Sequence, residues 1–138
     1  MRKGQNMRKI LSIILLLALL AGCSGAQQEI ILHEEESWLQ EFYEADGTVH
    51  ILCHLTVENT TEADKTVTIR GSSQADVKIG LLESPELIGM APETQAETFL
   101  LKAGQTAILT VDFTGTYAGT LQKADRLLPG EIIIEEVS

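Results

Sequence analysis

The stretch VHILCHLTVEN, residues 49–59, alternates apolar and polar side chains along most of its length. Val49, Ile51, Cys53, Leu55 and Val57 share one face, and His50, Leu52, His54, Thr56 and Glu58 share the other. A period of two marks a strand with one buried side, because successive side chains leave a pleated backbone in opposite directions. The pattern predicts a strand with Cys53 at the centre of its buried face, where a thiol packs as a small apolar group. It also decides the reading of two histidines. Four residues apart on a helix, His50 and His54 would face one metal ion. On a strand they sit roughly 13 Å apart, too far to share one.

The same period extends outward. NTTEADK (59–65) gathers turn formers, and TVTIR (66–70) resumes alternation at Val67 and Ile69, so residues 49–71 read as a hairpin. ETFLLK (97–102) passes through a tight turn at Lys102–Gln105, with Gly104 free to take positive φ, into TAILTVDF (106–113). There Ala107, Leu109, Val111 and Phe113 form one face. EIIIEEV (131–137) closes the chain as an apolar strand, and Ile30–His33 begins the series. Two segments resist a single reading. SWLQEFYEADG (37–47) spaces Trp38, Leu39, Phe42 and Tyr43 as a helix would, yet Asp46-Gly47 is a strong hairpin signal, which favours a strand. ADVKIGLLESPELIGM (75–90) alternates at Val77, Ile79 and Leu81 before Ser84-Pro85, and is expected to be a strand followed by a helical turn. The sum is an all-β chain of about seven antiparallel strands packed as a small sandwich over residues 30–138.

The N-terminus has a different texture. Ile10–Leu20 is eleven residues without a charge, preceded by Arg2, Lys3, Arg8 and Lys9. As a helix it would cover roughly 17 Å, short of the ~30 Å hydrocarbon core, so a permanent span is not expected. A basic start, a short apolar run and small residues are instead the layout of an export signal. Met7-Arg8-Lys9 opens a more compact signal than Met1 does, and both starts remain open. Leu20-Ala21-Gly22-Cys23 resembles the lipobox of bacterial lipoproteins. That resemblance implies a diacylglyceryl group on the Cys23 thiol and cleavage just before it. Residues 1–22 would be a cleavable signal peptide and 23–29 the lipidated cysteine and its tether. Two acyl chains hold a protein stably where one does not. The implied location is the cell membrane, lipid-anchored and facing the extracytoplasmic side.

The string LTVENTT…KTVTI…FLLKAGQTAILTVDF further resembles the immunoglobulin-like sandwich modules of bacterial surface lipoproteins, through its polar turn and its later L-x-x-G-Q turn. The paired cysteines and intervening core tryptophan of antibody domains are missing, so this resemblance concerns architecture alone.

Charge and motif content narrow the function. After removal of residues 1–22, six basic and twenty acidic residues remain, a formal charge of −14. Such a body repels nucleic acid, which is excluded as a ligand. His33 beside Glu34-Glu35-Glu36 offers weak cation attraction, but the sequence has no calcium loop, no H-E-x-x-H, no G-x-S-x-G elbow and no phosphate-cradling loop. Cys53 and His54 point to opposite sides of their strand, which prevents a nucleophile–base pair. No enzyme, metal site or cofactor is therefore expected. The one basic spot, Lys123 and Arg126 with Tyr117 in TYAGTLQKADRLLPGEI (116–132), is the candidate partner-binding loop. The expectation is a membrane-anchored lipoprotein with a non-catalytic binding or structural sandwich, whose partners are membrane lipid through Cys23 and an envelope protein or surface ligand. An accessory subunit or inhibitor of another envelope protein, and a weak cation-dependent adhesin, are the alternatives.

Overall fold

A computed structural model describes residues 28–121 and 128–137. Seven strands account for most of them: β1 (Ile30–Ala45), β2 (Thr48–Asn59), β3 (Lys65–Ser72), β4 (Glu86–Met90), β5 (Thr98–Leu101), β6 (Thr106–Thr116) and β7 (Glu131–Glu136). One short helix, α1 (Gln74–Lys78), follows β3. Every strand pairing is antiparallel, in the order β1-β2-β6-β4-β3-β5, with β7 on β3.

The apolar alternation of residues 49–57 does what it predicts. Val49, Ile51, Cys53, Leu55 and Val57 are all buried and meet Val67 and Ile69 of β3, Phe99 and Leu101 of β5, and Val111 and Phe113 of β6 in one core. Among the described residues no long helix covers the sheet, and a flat sheet could not bury β2 and β3 together. The sheet therefore doubles over, with β1-β2-β6 as one layer and β3, β5 and β7 opposite, while β4 bonds to both β6 and β3 at the fold.

Two expectations change here. Residues 49–71 hold both expected strands but no hairpin, since β2 pairs with β1 and β6 while β3 pairs with β4, β5 and β7. The turn between them crosses from one layer to the other. Asn59, fully buried, directs the crossing: its amide donates to the carbonyls of Ala63 and Leu101, and its oxygen accepts from Thr61. Alternation fixes which face a strand buries but not its neighbour. The second change is an inversion. Residues 74–78 are the helix and 86–90 the strand, because the buried Asp76 accepts from the Ser73 hydroxyl at 2.6 Å and its own carbonyl receives the Leu81 and Leu82 amides. Local side-chain bonding at Ser73 and Asp76 outweighs a short alternation.

Residues 37–45 are strand, closed by a two-residue turn in which Asp46 and Gly47 both have positive φ (51° and 80°), the type I′ geometry. β1 is irregular in two places. Glu34–Ser37 stand against Leu55 alone, between the pairs His33↔Thr56 and Trp38↔His54, and Gln40 is an extra residue between Leu39↔Cys53 and Glu41↔Leu52. In the first irregularity Ser37 replaces a ladder partner, its hydroxyl accepting the Thr56 amide at 3.0 Å. The bulge at Gln40 explains the helical spacing of 37–45. It resets the alternation by one, so Leu39 and Phe42 lean on the core while Trp38 and Tyr43 stay outside.

Candidate functional site

The outer face of β1-β2-β6 carries every histidine of the chain, and each has a partner. At the end nearest the start of β1, His33 Nε2 meets Glu58 Oε1 at 3.0 Å, with Glu35 at 3.6 Å from Nδ1. In the middle, His54 stacks on Trp38 with ring centroids 4.8 Å apart, hydrogen-bonds Gln40 through Nε2 and lies 3.3 Å from the Thr110 hydroxyl. Toward the Asp46-Gly47 turn, His50 stacks on Tyr43 at 4.7 Å, nearly parallel, and its Nδ1 meets Asp112 at 2.7 Å.

Asp112 is the most confined group in this row. Its side chain is only 13 % exposed, and the oxygen turned away from His50 is buried without a hydrogen-bond partner. Sequence alternation places this carboxylate on a solvated face, but neighbouring side chains cover it. Only the oxygen facing His50 is satisfied, through the imidazole. Trp38 and Tyr43, by contrast, are 47 % and 40 % exposed. They are the only tryptophan and one of two tyrosines in a chain with just six aromatic residues of these types. Water-facing aromatics in so aromatic-poor a chain are the least economical use of those residues for stability alone.

Chemically this face can stack and hydrogen-bond. Cys53, on the inner face of β2, is fully buried and desolvation pushes its thiol up to about 12, so it is not a thiolate at neutral pH. His33 has its pKa raised, first by the hydrogen bond to Glu58 and then by the charges of Glu36 and Glu35. His33, Glu35 and Glu36 bring ligand-type atoms within 4.8 Å of one another, a loose exposed cluster. Its imidazole is already engaged with Glu58.

The sequence-derived candidates are dispersed. Tyr117 is half-buried against the core beside Leu82, its amide bonded to the Gly47 carbonyl, so it contributes to packing. Lys123 and Arg126, with which it was expected to form a binding loop, lie outside the described residues, as does Cys23. Among the described residues no helix is long and apolar enough to cross a membrane. The aromatic–imidazole face was not anticipated. Half of it was legible, because counting back across the Asp46-Gly47 turn puts Tyr43 opposite His50. The same count puts Leu39 opposite His54, and only the bulge at Gln40 delivers Trp38 there instead.

Comparison with known families agrees with the texture of the N-terminus. The model of the prokaryotic membrane lipoprotein lipid attachment site matches residues 7–24, which include Cys23. The protein is thus a membrane-anchored lipoprotein, held through its acylated cysteine. No curated protein matches the chain, and no solved structure does.

Proposed function

We propose that this lipoprotein displays a non-catalytic binding module on the extracytoplasmic side of the membrane, a sandwich of immunoglobulin-like kind, and that its ligand lies on the outer face of β1-β2-β6. The observation that carries the reading is the exposed Trp38 and Tyr43, stacked on His54 and His50, standing in one row on the outer face of β1-β2. A rigid ring backed by an imidazole offers area at little entropic cost, since few torsions are lost on contact. Gln40, Thr110 and Glu41 add donors and acceptors around the rings. Apolar ring faces edged by polar groups suit a ligand built the same way, such as a surface polysaccharide, whose sugars have flat C–H faces and hydroxyl rims.

Trp38 makes the test direct, because its fluorescence is the only tryptophan signal of the chain. Titration of the full lipoprotein in detergent with a panel of neutral and N-acetylated oligosaccharides should give a saturable change. Tyr43→Ala should weaken that binding about tenfold, as loss of one stacked contact of roughly 1.4 kcal/mol implies. No saturable change with any member of the panel would refute a glycan ligand at this face.

A further inference from the structure

Three strands of the doubled sheet, β1, β5 and β7, are bonded on one side only, and the free edges of β1 and β7 face each other. Ile30 and Leu32 of β1 and Ile132 and Ile134 of β7 line a groove of about 370 Å³ between them. Its lower end is tied by Lys65, which pairs with Glu136 at 3.0 Å and Glu29 at 4.0 Å. Neither edge is hydrogen-bonded to the other, as β1 pairs only with β2 and β7 only with β3. Unpaired backbone groups beside an apolar cleft form a template for an added strand. β1 is blunted as a template by its irregularity after His33, whereas β7 runs in unbroken register with β3 from Glu131 to Glu136.

We propose that this groove is a docking site for an extended, alternately apolar and basic segment of another membrane-anchored protein, added as a strand along β7. Charge selects the occupant. Two rim carboxylates share one ammonium, and the mature chain carries −14 overall, so a second copy would bring like charge to the same edge. The chain's own Ser24–Ala26 has no large apolar side chain to fill the cleft. Distance selects the occupant's source. Gln28 lines the groove, and the five residues from Cys23 to Gln28 reach roughly 17 Å when fully extended. The cleft is thereby held close to the bilayer surface, where the segment of a membrane protein just outside its span is at high effective concentration. This inference rests on the lipid anchor and is independent of the aromatic face.

The test uses the full lipoprotein in liposomes with a labelled synthetic peptide alternating valine and lysine, and a valine–glutamate peptide as control. The valine–lysine peptide should bind saturably and slow hydrogen exchange at the β7 amides. Glu29→Lys, an exposed rim change that spares the core, should weaken it at least tenfold, while Trp38→Ala leaves it unchanged. Absence of binding, equal binding of the valine–glutamate peptide, or protection of Trp38 and its neighbours in place of β7 would overturn the proposal. So would a concentration-dependent dimer of the lipoprotein that protects β7 without peptide, which would make the occupant a second copy.

Discussion

The two faces of β2 are built from one stretch of eleven residues and have opposite characters. The inner face, Val49 to Val57 in steps of two, is completely closed, and even its cysteine is chemically silent. On the outer face His50, His54 and Glu58 are partly open and paired with aromatic, imidazole or carboxylate groups, while Leu52 and the buried Thr56 lie between them. One strand thus separates holding the fold from meeting a ligand, because the pleat sends alternate side chains into different solvents. Stability should depend on the odd-numbered residues and recognition on the even-numbered ones.

The sharpest way to break this contrast is at the centre of the inner face. Leu55→Ala should cost about 4 kcal/mol by urea unfolding, through lost transfer energy and a cavity that the two layers cannot collapse around. A loss under about 1 kcal/mol would mean the core is not the closed body described. Gly89→Ala tests the fold line between the layers. A methyl there would sit 2.4 Å from the Ile69 carbonyl oxygen, a backbone atom, and should cost about 3 kcal/mol. Cys53→Ser swaps a thiol for a hydroxyl in a dry site and should cost about 2 kcal/mol. The wild-type thiol should resist maleimide until the protein is unfolded; rapid native labelling would contradict its burial.

On the outer face the stability effects shrink. Trp38→Ala should change unfolding free energy by about 1 kcal/mol or less, yet remove ligand binding altogether. If it unfolds the protein instead, the ring is a packing element and the two faces are not separate. The smallest effect concerns His33. Its folded pKa is raised above the unfolded 6.5, so the stability it contributes is full below 6.5 and declines as pH rises through the folded value. His33→Asn should remove that slope from the melting temperature measured between about pH 5 and 8. An NMR titration of the wild-type ring should have its midpoint above 6.5.

Which of these features could be read from residues alone follows one rule. A property carried by a single element was legible. The strand at 48–59, the burial of Cys53, the Asp46-Gly47 turn and the positive φ of Gly104 (67°) all follow from alternation or from local backbone preference. A property needing two elements was legible only where a tight turn fixed the register, as for Tyr43 against His50. It failed at the bulge, where one additional residue moved Trp38 into place, and at helix α1, where two polar side chains outweighed a weak apolar period.

By itself, then, the sequence determined that this is an all-β, acidic, lipid-anchored protein, because an export signal, net charge and a two-residue period are written in consecutive residues. Only the tertiary structure decided that β2 and β3 lie in opposite layers, that three histidines share one face, and that the edges of β1 and β7 leave a groove lined by Gln28. The physical reason is that alternation specifies which side of a strand avoids water. Which strand lies beside it is chosen by buried polar groups such as Asn59, and by the need of the whole sheet to cover its own apolar face.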